Sequence, residues 1–361
     1  MTAVTEAPAP MDPASIRAAV GELLHTFLDE RERAAVEIPE LAVFTGLLRD
    51  LLDAGGKRIR PVLCVVGWQT IRDDPPPSAV LRVAASIELF HACALIHDDI
   101  MDRSDTRRGR PTAHRVLAAR HADHPDPANL GTNAAILFGD LALGWSYDLL
   151  HLHTAQDLTP EQRAVAWPLL NALRTETLVG QYLDLTATGR PTADTGSAWR
   201  IIRYKTARYT IEHPLCLGAA LAGANLVQLR ALSAYALPLG EAFQLRDDLL
   251  GVFGDPGRTG KSDLDDLREA KHTVLVATAL QRATPGEART LQALLGHGAL
   301  DEDGARTIRE ILIATGAVSA VERAVHERHE QALHALTGSR LAPGAIARLR
   351  RLAESVTTRN T

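Results

Sequence analysis

The stretch from Ile87 to His114, IELFHACALIHDDIMDRSDTRRGRPTAH, most constrains what this chain can fold into. It opens with apolar residues at helical spacing (Ile87, Leu89, Phe90, Ala94, Leu95) and closes on three carboxylates, Asp98, Asp99 and Asp102. At about 3.6 residues per turn, Asp98 and Asp102 point the same way, with Asp99 beside them. Carboxylates crowded on one helical face repel unless a cation lies between them. Hard divalent ions such as Mg²⁺ take oxygen ligands, often one or two carboxylates together with substrate phosphates. Arg107 and Arg108 follow closely, and guanidinium groups are shaped for phosphate oxygens. The pattern points to a metal-assisted diphosphate site, although taken alone it also fits a solvated helix end.

The basic residues sharpen that choice. Of 39 Lys and Arg, only Lys57, Lys205, Lys261 and Lys271 are lysines. A chain so biased to arginine keeps lysine where a compact ammonium is needed, because the two are not interchangeable. Each lysine falls in a segment that looks chemical for other reasons. GGKRIRP, residues 55–61, sets Lys57, Arg58 and Arg60 at a glycine-loosened turn before a helix start at Pro61, a ready anion site. GQYLDL (180–185) places Gln181 and Asp184 on one face, and Lys205-Thr206 interrupts a helical pattern.

A second acidic centre lies in FQLRDDLLGVFGDPGRTGKSDLDDLREAKHT, residues 243–273. Gln244, Asp247 and Asp248 end an apolar helix, and Asp255, Lys261, Asp265, Asp266 and Lys271 follow in a loop. GDPGRTGKS imitates a nucleotide-binding P-loop but fails its spacing. The first glycine of that motif would have to stand at Asp255, and Gly254 comes one residue too early.

Other features narrow the class. The hydrophobic fraction of 46% over 361 residues suits a sizeable core, and the 4% aromatic content with abundant Ala, Leu and Arg favours helix. A formal net charge of −5 gives no reason to expect nucleic acid or an anionic membrane. Cys64, Cys93 and Cys216 have neither metal-ligand nor disulfide spacing, as fits a reducing cytoplasm. The N-terminus has no basic start and no apolar core, so neither a signal nor a transit peptide is expected. No stretch of about 18 apolar residues is expected to span a bilayer. Strand alternation and hairpin turn pairs are absent from the pattern. The architecture expected is all-α, with a disordered tail over residues 1–13, a loop over 121–131, and packing helices over 285–357.

In order, GGKRIRP, HDDIMD, RRGRPTAH, GQYLDL, YKT and FQLRDD–GDPGRTGK closely resemble the motifs of the trans-polyprenyl diphosphate synthases. The resemblance runs from about residue 40 onward. It implies one helical bundle around a central tail cavity (residues 14–357, the isoprenoid synthase fold), a homodimer, and three Mg²⁺ ions. It implies that Asp98, Asp99, Asp102, Asp247 and Asp248 bind those ions around an allylic diphosphate. Arg107, Lys205 and Lys261 match the family's allylic-diphosphate contacts; Lys57, Arg60, His91 and Arg108 match its isopentenyl diphosphate contacts. Thr206 and Gln244 match residues beside the reacting carbons, and Gln181 and Lys271 join the substrate-binding set. The second motif departs from the family pattern, with Gly251 in place of a third Asp, so its metal set is open to Asp255 or a water.

In this family the turns before the first Asp floor the tail pocket. Here Ala94 and Cys93 are small and Phe90 lies two turns below Asp98, roughly 12 Å at about 1.5 Å per residue. The expected product is geranylgeranyl diphosphate (C20), with the C25 product next. Phe90 is equally readable as ordinary core. A terpene cyclase on the same fold would not need Lys57, Arg60, His91 and Arg108. A non-catalytic partner subunit would be expected to lose aspartates from the first motif. A purely structural helical protein leaves the placement of the lysines unexplained.

Overall fold

Among the described residues, helices form nearly every element. The computed structural model describes residues 10–151, 154, 157–254 and 264–357. Among these the strands are Thr106–Arg107 (β1) and Arg110–Pro111 (β2), an antiparallel pair. The chain divides into two compact units, Met1–Pro168 with Pro214–Ala224 and Leu169–His213 with Asn225–Thr361. No single cut in the sequence separates them.

In the first unit, α1 (Pro13–Ala34) begins where the Asp12 carboxylate accepts the Ser15 backbone N–H at 2.7 Å, with proline at the first helical position. Gln69 Nε2 donates to the Met11 carbonyl at 3.0 Å. Residues 11 and 12 are therefore tied to the fold, which shortens the expected tail; residues 1–9 lie outside the described residues. After α2 (Leu41–Asp53) and α3 (Ile59–Gln69) comes α4 (Ser78–Met101), which packs against α3, α1 and α6 (Pro127–His151). Its Ile87, Leu89, Phe90 and Ile96 are all but fully buried. Burying each such side chain stabilises the fold by about 1.5–3 kcal/mol.

Two expectations are corrected here. By length and composition α4 is apolar enough to cross a membrane, and 72% of the qualifying window is buried inside the fold, as in a core helix. Glu88 and His91 interrupt the run and hid it from a search for unbroken apolar sequence. The stretch expected as a loop over 121–131 is helical from Pro127, whose fixed φ suits the first position of α6.

The division between units falls inside α7 (Pro160–Ala187), beside Pro168. The second unit continues with α8 (Thr195–Ile201), a π-helix (Ile202–Glu212) and, after α9 (His213–Leu221), the long α10 (Leu226–Phe253). Asn225 and Gln228 close a capping box at the start of α10. Leu245 and Leu249 of α10 join Leu275, Ile308, Leu312 and Val321 in one apolar core. Those last residues come from helices Val274–Arg282, Glu302–Ala314 and Ala317–Ala335, of which the latter two lie in the stretch expected to form packing helices.

Candidate active site

In the first unit, a two-residue hairpin returns the chain after α4 to its own C-terminal end. Arg108 (φ 53°) and Gly109 (φ 72°) both sit in the left-handed region, the signature of a type I′ turn. The turn was missed in the sequence because Arg-Gly is not the usual Asn-Gly or Asp-Gly pair. It carries Arg107 back onto the helix end. Arg107 Nε donates to Asp99 Oδ1 at 2.7 Å, and its Nη2 reaches Asp98 Oδ2 at 3.3 Å. Burial raises the Asp99 pKa against the pull of Arg107. Burial opposes the Arg107 charge, and the Asp99 hydrogen bond with the Asp99, Asp98 and Asp102 charges outweighs it, so that pKa is raised. Asp102 is the C-cap of α4, its N–H bonded to the Asp98 carbonyl at 2.8 Å.

A cationic cluster stands beside it. Arg58 is the N-cap of α3 with φ 42°, and its guanidinium donates to the Arg17 and Leu52 carbonyls at 2.9 and 3.3 Å. That tie fixes the GGKRIRP turn, leaving Lys57 exposed and Arg60 in the first turn of α3. Arg108 donates to the Gly55 carbonyl. Gly56 has φ 127°, a backbone conformation that strains any L side chain, and Arg108 Nη1 lies 2.7 Å from where its Cβ would stand. Burial and the Arg107, Arg60 and Arg58 charges depress the Arg108 pKa, while Glu88 opposes them. His91 has its pKa drawn well below the ordinary imidazole value by burial and by Arg60, Arg108 and Arg107. Glu88 was not singled out from the sequence. Its signal was there: a carboxylate in the largely apolar part of α4 that precedes Asp98.

Phe90 and Cys93 are buried, at 2% and 4% exposure, in the core of this unit. Phe90, Ala94, Asp98 and Asp102 recur every four residues and so share a face of α4.

In the second unit, the interruption at Lys205-Thr206 is the π-helix, not a break. A π-helix is rare and collects at functional sites. Here it is pressed between two glycines: a Cβ on Gly180 of α7 would lie 2.3 Å from Lys205 N, and one on Gly240 of α10 2.6 Å from Ala207 Cα. Lys205 Nζ pairs with Asp184 of α7. The Thr206 hydroxyl donates to Gln244 Oε1 at 2.6 Å, and Gln244 Nε2 donates to Asp248 Oδ1 at 2.8 Å. Thr206, Gln244 and Asp248 thus form one hydrogen-bonded chain. Gln181 is partly buried on α7, and Asp247 is exposed at the end of α10.

Burial pushes the Asp248 pKa up to about 8; Gln244 and Lys271 work against it, and the Asp247 and Asp266 charges add to it. Lys271 Nζ pairs with Asp266 at 2.8 Å and Glu269 at 3.2 Å. A Cβ on Gly251 would lie 2.1 Å from Asp266 Oδ2. The space of the missing third aspartate is therefore occupied by Asp266. Asp255 and Lys261 lie outside the described residues.

These groups suit Mg²⁺. Each unit crowds carboxylates that raise one another's proton affinity, the electrostatic condition a divalent cation relieves. Among the described residues no three His, Cys, Asp or Glu converge into a closed metal cage. An open set fits an ion that keeps waters and takes substrate phosphates as further ligands.

All-α architecture with two Asp-rich helix ends, each paired with phosphate-suited cations, defines a prenyl-transferring enzyme of the isoprenoid synthase fold. The polyprenyl synthetase family profile matches residues 42–312, and the chain belongs to that family. It is 32% identical over 278 residues to the geranylfarnesyl diphosphate synthase of Aeropyrum pernix, covering 77% of this chain and 82% of that protein. Against the nonaprenyl diphosphate synthase of Mycobacterium tuberculosis it is 31% identical, covering 89% of this chain and 88% of that protein. A geranylgeranyl pyrophosphate synthase from Corynebacterium glutamicum, solved with isoprenyl diphosphate and magnesium, superimposes with a TM-score of 0.91. It is 39% identical to this chain, covering 97% of this chain and 100% of that one.

Proposed function

We propose that this prenyltransferase condenses isopentenyl diphosphate head-to-tail with an allylic diphosphate and releases geranylgeranyl diphosphate. The observation that carries the reading is the cluster of Arg60, His91 and Arg108 beside an aspartate-rich helix end. A same-fold cyclase, which ionises one diphosphate and adds no second, has no use for it. Residues 14–357 act as one synthase domain, and a cytoplasmic setting suits three buried free cysteines.

In this reading Asp98, Asp99 and Asp102 would hold Mg²⁺ in the first unit and Asp247 and Asp248 in the second, three ions in all. When bound, they supply Lewis-acid stabilisation of the leaving group. Arg107, Lys205, Lys261 and Lys271 neutralise its oxygens. The C–O bond breaks with its electron pair on diphosphate, leaving an allylic cation. Thr206 donates a hydrogen bond to Gln244 Oε1, which leaves the lone pairs of its own oxygen free to favour positive charge. Lys57, Arg60, His91 and Arg108 hold isopentenyl diphosphate, whose alkene attacks the cation, and the proton then lost goes to the released diphosphate. His91 remains neutral, a hydrogen-bond donor that adds no charge to a crowded cationic cluster. Gln181 contacts substrate from α7.

Phe90 ends the tail pocket, with Ala94 and Cys93 leaving the turn above it open. The C25 product is the alternative, in keeping with the A. pernix relative's name. A homodimer is supported by exposed apolar residues on α6 (Ile136 at 42%, Leu137 at 65%) and α7 (Leu178 at 59%, Tyr182 at 66%). The test is stoichiometry with purified protein and Mg²⁺. One isopentenyl unit must be incorporated for each diphosphate released, and release without incorporation would mean a cyclase.

A further inference from the structure

Within the second unit, the π-helix Ile202–Glu212 is gripped along one face of α7. Glu176, Gly180 and Asp184 recur every four residues and so share that face. Gly180 lies against the Lys205 backbone, and Asp184 pairs with Lys205 Nζ. Glu176 makes the third contact: its Oε1 accepts from Arg208 Nη1 at 2.7 Å. Arg208 Nε in turn donates to Glu212 Oε2 at 3.1 Å. Each of these carboxylates is fixed by a further neighbour. His213 Nε2 stands 2.7 Å from Glu176 Oε2, and the Ser233 hydroxyl of α10 donates to Glu212 Oε1. Glu212 and His213 are both buried, at 7% exposure. Arg208 thus bridges two anchored carboxylates, one turn of the π-helix beyond Lys205 and Thr206.

We infer that Glu176 and Arg208 are a positioning pair, holding the π-helix in the register that presents Lys205 to the allylic diphosphate and Thr206 to Gln244. The inference rests on the role of Lys205 proposed above. A π-helix is rare because its wide turn competes with the ordinary α-helical one. A segment that relaxed toward α geometry would turn Lys205 and Thr206 relative to Arg208, away from Asp184 and Gln244. Gly180 and Gly240 leave room for the wide turn but do not hold it. Charge-assisted hydrogen bonds do hold it, and here they are partly shielded from water, with the Arg208 side chain 30% exposed and that of Glu176 24%.

A pair that acts through Lys205 has a signature that plain stabilisation lacks. Its removal should matter only while Lys205 is there to be placed. The experiment is a double-mutant cycle on full-length protein with Mg²⁺, isopentenyl diphosphate and an allylic primer. Arg208→Lys keeps the charge but loses the fork that bridges two carboxylates, and Glu176→Gln keeps the shape but loses the charge. Each is measured alone, together, and on a Lys205→Gln background, with Thr206→Ala as the background should Lys205→Gln elongate too slowly to follow.

Arg208→Lys is expected to lower kcat/KM for the allylic diphosphate by about ten- to a hundredfold, the scale of a small misplacement of a reacting group. The KM for isopentenyl diphosphate should stay within about twofold. Glu176→Gln should have the same effect, and the two together should cost little more than either. On the Lys205→Gln or Thr206→Ala background, Arg208→Lys should change the rate by no more than about twofold. A merely structural role would lower the melting temperature and the fraction of active protein, leave both KM values alone, and give the same loss on either background; that result overturns the inference. So does an Arg208→Lys variant as active as wild type. Should Arg208→Lys not fold, Glu176→Gln carries the same cycle by itself. Wild-type protein that elongates no primer would overturn the proposed function instead, a result visible before any variant is made.

Discussion

The carboxylate of Asp266 occupies the place a side chain at Gly251 would take: a Cβ there would lie 2.1 Å from Asp266 Oδ2. Asp266 is held in that place by Lys271 at 2.8 Å. The second acidic motif thus carries its further carboxylate from the short helix Asp265–Arg268 and not from α10 itself. Restoring the family residue by Gly251→Asp should therefore damage the enzyme. Overpacking of this kind costs about 1–3 kcal/mol, and like charges would be forced together. Melting temperature and initial rate should both fall, and the double change Gly251→Asp with Asp266→Gly should recover most of the rate. A single Gly251→Asp variant as active and stable as wild type would refute the substitution of one carboxylate for the other.

Arg107 neutralises Asp98 and Asp99 with two nitrogens in fork geometry. Its side chain is 16% exposed and that of Asp99 only 5%. Arg107→Ala leaves these carboxylates without their counter-ion, a loss of about 3–5 kcal/mol for a buried pair. Mg²⁺ should restore part of it, so the melting temperature of the variant should respond to Mg²⁺ far more than that of wild type. Equal Mg²⁺ responses would argue against metal binding at this helix end.

Phe90→Ala should lengthen the product if Phe90 ends the tail pocket. Because Phe90 is 2% exposed, truncation also costs about 3–5 kcal/mol of stability. Phe90→Leu, which keeps most of the volume, serves as the milder variant and should shift products partially. Unaltered product length in stable, active variants would return Phe90 to the core alone.

His91 has a folded pKa well below its unfolded value near 6.5, from burial and three neighbouring arginines. The unfolded chain therefore takes up a proton on acidification that the folded chain refuses. The stabilisation is present above about pH 6.5 and is lost as pH falls from there toward the folded value. Denaturant midpoints measured from pH 7.5 to 5 should fall less steeply for His91→Gln than for wild type. Parallel curves would mean that His91 titrates normally.

Much of this was legible from the sequence because helical chemistry repeats. The two Asp-rich helix ends, the GGKRIRP turn and the C-terminal packing helices follow from spacing alone. What escaped notice depends on contacts between residues far apart in sequence. The hairpin depends on two positive φ angles at Arg108 and Gly109, which Arg-Gly does not advertise. The π-helix depends on Gly180 and Gly240 admitting a wider backbone, and neither lies within the segment itself. Asp266 meets Gly251 only after the chain has folded back.

The most direct test of the central claim is the chain length made by purified wild-type protein from radiolabelled isopentenyl diphosphate and Mg²⁺. Dimethylallyl, geranyl, farnesyl and geranylgeranyl diphosphate would be supplied as primers in separate reactions. The account predicts that the first three are extended to a twenty-carbon diphosphate and that geranylgeranyl diphosphate is extended little or not at all. No incorporation from any primer, with diphosphate or a hydrocarbon released instead, would contradict it.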